Sequence, residues 1–102
     1  MKTETNETAK IEVENVNHSG KVRLVDADMY EAMKRAYLKT VPKTSPGLTL
    51  AEIRERVVAH LPDELFPDGA KAGWWAKTVQ LDLEAKGVVV RENTKPIHLR
   101  KS

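Results

Sequence analysis

The chain has 102 residues, 40% hydrophobic and 31% charged, with a formal net charge of +2 at pH 7, a balance typical of one globular domain with a modest core. Cysteine is absent, which excludes a disulfide framework, a thiolate metal site and a cysteine nucleophile. No apolar run approaches the roughly 20 residues of a membrane helix, and the first residues lack the apolar centre of a secretion signal, so we expect a cytoplasmic protein that makes no membrane contact.

The first 20 residues are predicted to be a flexible N-terminal tail, followed by one folded domain over residues 21–102. Residues 1–10 are mostly Thr, Glu, Asn and Lys and offer little to bury. Residues 11–16 alternate weakly between apolar and polar side chains and would suit an edge strand. Residues 21–25, Lys-Val-Arg-Leu-Val, alternate more clearly and predict a short strand before the first helix.

The first helix is predicted to begin near two candidate N-caps, Asp26 and Asp28. It must end before Pro42, because a proline disfavours helical geometry in the residue that precedes it.

A capping-box pattern predicts the start of the second helix. Thr49 is its N-cap, and Glu52 lies at the third helical position. The long connection that follows contains the apolar pair Leu65 and Phe66, which we expect to pack on the core.

The third helix, over residues 72–86, has two apolar faces. At ~100° per residue, one face carries Trp75, Ala76, Val79 and Leu83, and the nearly opposite face carries Trp74, Leu81 and Ala85. Gly87 is placed to end the helix in a left-handed conformation. A strand, a turn over 93–96 and a second strand follow. The order of elements predicts a mostly α, α+β domain with three helices and a small antiparallel β-hairpin.

This order, over about residues 21–100, resembles the winged helix-turn-helix superfamily. The run Leu-Glu-Ala-Lys-Gly-Val-Val-Val-Arg at 83–91 is similar to the junction where the superfamily's recognition helix meets its wing. Residues 49–53, Thr-Leu-Ala-Glu-Ile, resemble the opening of its second helix. The Trp74–Trp75 pair and residues 78–85 also resemble a small family of uncharacterised bacterial proteins, a likeness that implies no function.

The superfamily resemblance implies a DNA-binding function, and a possible transcriptional regulator. In DNA-binding members the third helix enters the major groove and the wing touches the backbone or minor groove. Double-stranded DNA would then contact helix 72–86 and the basic wing 88–101, with the lysines and arginines on phosphates. The implied contacts are Lys71, Lys77, Thr78, Gln80, Arg91, Asn93, Thr94, Lys95 and Arg100.

Two departures from the superfamily pattern favour an alternative. The connection between the second and third helices is longer than the three or four residues of a strict helix-turn-helix. The face that should read bases carries Trp74, Leu81 and Ala85, with Asp82 and Glu84 nearby, whereas base readout mainly uses Arg, Lys, Asn and Gln. An exposed apolar face centred on tryptophan usually marks a protein interface, or is covered by the chain itself. The alternative is a protein-interaction or homodimerisation module that uses this face.

Enzyme activity is not expected. The histidines His18, His60 and His98 are scattered over a turn, a helix surface and a strand, and none has metal-ligand spacing. Asp26 and Asp28 are better explained as helix caps than as an acid pair. A glycine-rich phosphate loop is absent. We therefore expect no catalytic residue, no cofactor and no bound metal.

Overall fold

The computed structural model describes residues 9–17 and 20–102, and this part of the chain forms an α+β domain with three α-helices and two small antiparallel sheets. Short 3-10 turns follow the second helix at Val58–His60 and precede the third at Pro67–Gly69. None of the helices in these two ranges combines the length and apolar character that a bilayer crossing requires. The main elements are β1 (Lys10–Glu14), β2 (Val22–Asp26), α1 (Ala27–Thr40), β3 (Leu48–Thr49), α2 (Leu50–Val57), α3 (Ala72–Ala85), β4 (Val89–Glu92) and β5 (His98–Lys101).

Side-chain caps fix the starts of α1 and α2. Asp26 is the cap of α1, because its Oδ1 accepts a hydrogen bond from the Met29 N–H at 3.0 Å. At α2 the predicted capping box is confirmed. The Glu52 N–H donates to Thr49 Oγ1 at 3.1 Å, and the Thr49 N–H donates to Glu52 Oε1 at 2.9 Å. Both helices therefore begin where short-range hydrogen bonds satisfy their first N–H groups.

The C-terminal end of α3 has the geometry of a Schellman motif. Gly87 has a φ of +74°, the Gly87 N–H donates to the Glu84 carbonyl at 3.1 Å, and the Val88 N–H donates to the Leu83 carbonyl at 2.9 Å. This left-handed glycine confirms the predicted helix end and turns the chain directly into β4.

The C-terminal sheet contains the predicted hairpin of β4 and β5 and one further strand. Its order is β3–β5–β4, and β3 pairs through Leu48 with Leu99 and through Thr49 with His98. Gly47 permits this pairing, since its φ is +89° and a Cβ there would lie 2.0 Å from the Leu99 carbonyl oxygen. The sheet thus ties the start of α2 to the end of the chain.

A second hairpin, the N-terminal hairpin, joins β1 and β2 in antiparallel register, with Val13 opposite Arg23. The short strand expected before the first helix is confirmed as β2. The folded domain extends upstream of residue 21, to residue 10, because residues 10–14 of the segment predicted as a tail form β1. Residues 1–8 of that tail, and His18, lie outside the described residues.

Helix α3 lies at the centre of the domain, packed against α1, α2, β1 and β4. Trp75, Val79 and Leu83 are buried in the core, as the first apolar face predicts. Phe66 is buried as well, so the connection between α2 and α3 is fixed to the core by the apolar pair predicted to pack there.

Candidate interaction surface

The middle of α3 is enclosed on every side. Residues 78–83 are all buried, and six consecutive helical residues point in all directions around the axis. The N-terminal hairpin packs through β1 on the face opposite the core, where Thr78 and Leu81 line one groove with Val13 and Arg23. The second apolar face of α3 is therefore largely covered by the chain itself.

A buried carboxylate fixes the N-terminal hairpin to α3. Asp82 is 0% exposed, although the sequence placed it near the outward surface. Its Oδ1 accepts the Glu14 N–H of β1 at 2.8 Å, and its Oδ2 accepts the hydroxyl of Tyr30 from α1. The ammonium of Lys86 lies 2.8 Å from Oδ1. One side chain thus joins β1, α1 and α3.

The environment of Tyr30 favours its hydrogen bond to Asp82. Burial raises the pKa of the Tyr30 hydroxyl above its ordinary value, and the hydrogen bond to Asp82 raises that pKa further. The hydroxyl therefore remains protonated and continues to donate to the carboxylate.

A second polar network fixes α3 to β4. The Arg91 guanidinium donates to both oxygens of Glu84, with Nε–Oε1 at 3.0 Å and Nη2–Oε2 at 3.1 Å. The Gln80 side chain donates its amide to the same carboxylate at 2.8 Å. The hydrogen bond to Glu84 raises the pKa of Arg91. Two of the predicted DNA contacts thus bond within the domain: Gln80 is buried, and Arg91 is exposed but paired with Glu84.

The other predicted contacts divide into engaged and exposed groups. Arg100 donates to Glu92, and this hydrogen bond holds the pKa of the Glu92 carboxyl below its usual range. The Thr94 hydroxyl donates to the Pro96 carbonyl at 2.8 Å. Thr78 is buried, as described above. The predicted contacts that are exposed are Lys71, Lys77, Asn93, Lys95 and, in its ion pair with Glu84, Arg91.

A basic strip lies along the first half of α3. We give this name to Lys71, Lys77 and Arg54, all of which are exposed. Arg54 of α2 approaches the helix at Gly73, where its Cδ lies 3.9 Å from the position a Cβ would take. Lys77 follows one turn later. Two lysines predicted to contact DNA are therefore at the surface: Lys71, which precedes α3, and Lys77, in its first half.

Trp74 is the exposed part of the second apolar face. It is 50% exposed, whereas Trp75, whose ring packs edge-on against it at a centroid distance of 4.9 Å, is 6% exposed. The guanidinium carbon of Arg23 lies 5.3 Å from the Trp74 ring centroid, within cation–π range. Of the other two residues assigned to an interface, Leu81 is buried and Ala85 is half-buried.

An apolar groove lies between the N-terminal hairpin and α3, and Arg23, which lies over Trp74, forms part of its lining. This hairpin groove has a volume of about 320 Å³, and its lining includes Val13, Val22, Arg23 and Leu81. The contribution of β2 to this groove was not predicted from the sequence. The available signal was the composition of residues 22–25, where apolar side chains occur on both faces of the strand rather than on one.

Within residues 9–17 and 20–102, no group of three or more His, Asp or Glu side chains is arranged to hold a metal ion.

A family model described as a family of unknown function, DUF6958, matches residues 10–99. The matched range includes the N-terminal hairpin as well as the three helices, and it agrees with the resemblance to a small uncharacterised family. No curated protein and no solved structure matches the chain.

Proposed function

The chain belongs to the family DUF6958, whose function is unknown, and we propose that its domain is a winged helix that binds another protein rather than catalysing a reaction. The observation that carries this proposal is Trp74, half exposed beside the hairpin groove. Tryptophan is the residue type most enriched among those that dominate binding energy at protein interfaces. A ring already ordered by Trp75 and Arg23 loses little conformational freedom on binding.

The winged-helix part of the proposal is supported by the order of elements. Three helices precede a C-terminal hairpin, and the Schellman turn at Gly87 leads from the third helix into that hairpin. The pairing of β3 with β5 holds the hairpin beside the start of α2.

The packing of α3 supports protein binding over base reading. A recognition helix needs side chains free to reach base edges in the major groove. Here Thr78 and Gln80 are buried, and entry of mid-helix into a groove would require the N-terminal hairpin to leave. Arg91 and Arg100 already bind carboxylates. A phosphate would have to compete with those carboxylates for each guanidinium.

Site-specific photocrosslinking in cells tests this proposal. A photoreactive aromatic amino acid replaces Trp74 in one variant and the exposed Lys39 of α1 in a matched control. We expect a discrete crosslinked protein from position 74 and none from position 39. A crosslink between two copies, together with a dimer in sedimentation, would assign the surface to self-association. Identical crosslinking patterns from the two positions, or no crosslink from either, would contradict an interface at Trp74.

DNA binding is the second candidate, and the basic strip favours it. Exposed Lys71, Lys77 and Arg54 lie near the start of α3, and Lys95 is exposed in the C-terminal hairpin. These groups suit phosphate contacts, which position a protein without reading sequence. In a fluorescence titration with duplex DNA, log affinity would fall with log salt by a slope of ~0.9 per phosphate neutralised, and Lys77→Glu would weaken binding. Absence of salt-sensitive binding at low ionic strength would remove this candidate.

A further inference from the structure

One edge of the N-terminal hairpin is open. In an antiparallel pair, hydrogen-bonded residue pairs alternate with non-bonded ones. The Ala27 N–H donates to the Ala9 carbonyl at 2.9 Å, and continuing that register makes Arg23 and Val25 of β2 the residues that bond to β1. The backbone N–H and C=O groups of Val22 and Leu24 therefore point away from β1. Within the described residues, no strand pairs with that edge.

The same alternation explains how the opposite edge of the hairpin, formed by β1, contacts α3. In β1, Glu14 lies in the non-bonded register, so its N–H points away from β2. That N–H donates to Asp82. The edge formed by β1 is thus docked on α3 at this point, while the edge formed by β2 faces outward.

The two faces of β2 differ in chemistry at this edge. Val22 and Leu24 share the outer face and are 57% and 62% exposed, the highest values among the large hydrophobic residues described. Lys21 and Arg23 share the other face by the period of two along a strand. They line the hairpin groove, to which Val22 also contributes, and Arg23 lies over Trp74.

We infer that this edge receives an extended segment of a partner protein as a third strand, with alternating acidic and apolar residues. The inference rests on the proposed function and names the partner's chemistry. Backbone hydrogen bonds would form with the outward groups of Val22 and Leu24. Carboxylates on one face would lie beside Arg23 and Lys21. Apolar, β-branched residues on the other face would pack as cross-strand neighbours of Val22 and Leu24.

A second copy of this chain fits the edge less well. If two β2 strands paired antiparallel about Leu24, Arg23 would lie opposite Val25 of the second copy, and Lys21 opposite Ala27. The groove-facing side of each β2 strand carries Lys21, Arg23 and Val25. A second β2 strand would therefore add positive charge without a carboxylate of its own, whereas the acidic residue lining the groove, Glu14, belongs to β1. Charge complementarity therefore favours an acidic strand from a different protein over β2 of a second copy.

Fluorescence anisotropy with a labelled peptide of alternating valine and glutamate tests the inference. Two control peptides carry lysine in place of glutamate, or N-methyl groups on alternate amides that block backbone pairing. We expect the valine–glutamate peptide to bind and both controls to bind at least about tenfold more weakly. Arg23→Glu should weaken binding about tenfold or more, a loss typical of reversing a charge beside its partner. Lys43→Glu, an equal charge change in an exposed loop, should change it less than about twofold.

Leu24→Pro gives an independent check, with Leu24→Ala as its control for the lost side chain. Proline removes an N–H that points outward, so the pairing of β1 with β2 is retained. We expect the proline variant to bind the peptide more weakly than the alanine variant. Thermal unfolding of each variant verifies that the domain is folded.

Several results would overturn the inference. Equal binding of the N-methylated peptide would show docking without strand addition. Failure of the valine–glutamate peptide to bind, with the Trp74 crosslink retained, would reject this partner chemistry and leave the proposed function intact. If only a variant that starts at Ala9 bound the peptide, the edge would be assigned to the chain's own first residues. A dimer that Leu24→Pro abolishes would assign the edge to a second copy. Loss of both the peptide and the crosslink would reject the proposed function as well.

Discussion

The first prediction concerns Asp82→Ala, which removes the carboxylate joining the N-terminal hairpin, α1 and α3. The substitution leaves the Tyr30 hydroxyl and the Glu14 N–H without their acceptor. Leaving the buried Tyr30 hydroxyl without an acceptor costs about 1–3 kcal/mol, and leaving the part-buried Glu14 N–H without one costs about 1 kcal/mol. The Lys86 side chain is 39% exposed and can return to water, so its ion pair contributes about 0–1 kcal/mol. We therefore expect a loss of about 2–5 kcal/mol, the sum of these costs.

Urea unfolding followed by tryptophan fluorescence measures this loss, and Asp82→Asn provides a milder variant should the alanine variant fail to fold. A double-mutant cycle of Asp82→Asn with Tyr30→Phe isolates the hydrogen bond between these side chains. We expect a coupling of about 1–3 kcal/mol, as for a hydrogen bond to a charged group. A loss below about 1 kcal/mol for Asp82→Ala, or no coupling in the cycle, would refute the role of this carboxylate as the link.

Two further predictions concern backbone geometry and alkaline pH. Gly47→Ala should destabilise the domain more than Gly20→Ala by about 1–3 kcal/mol. Both positions have a positive φ, but only at Gly47 would the added Cβ meet another part of the backbone. Equal losses of stability in thermal unfolding would contradict this packing. Burial is the chief cause that raises the pKa values of Tyr30 and Tyr37, the chain's two tyrosines. The two protonated hydroxyls therefore contribute fully to stability below the unfolded pKa of about 10, and this contribution declines as pH rises above it. Tyr30→Phe and Tyr37→Phe should each make the free energy of unfolding less pH-dependent above about pH 10. Tyrosinate absorbance that appears at a pH well below that of unfolding would contradict the burial of the two hydroxyls.

The elements that could be predicted from the sequence are those specified by neighbouring residues. The capping box of Thr49 and Glu52 and the glycine stop at Gly87 each depend on residues within one helical turn. The hairpin of β4 and β5 is similarly local. These interactions close short loops, so a few residue types in the right order are sufficient to indicate them.

The contacts that define the surface could not be read in the same way, because they join distant parts of the chain. Glu14 and Asp82 are separated by 68 positions, and a polar residue in the middle of α3 reads as solvent-facing until β1 is placed on it. Gln80 and Arg91 were predicted to face DNA, and the structure binds both to Glu84. What the sequence did indicate was a helix with two apolar faces, and therefore a second element packed on α3.

Amide hydrogen exchange followed by NMR tests most directly the central claim, that the N-terminal hairpin is docked on α3 and presents one open edge. We expect strong protection of the Glu14 amide, which donates to buried Asp82, and of the Arg23 and Val25 amides, which pair with β1. The Leu24 amide should exchange at nearly the rate of an unstructured chain. Exchange at Glu14 as fast as at Leu24 would show that the hairpin is not held on the helix, and strong protection at Leu24 would show that the edge is already covered.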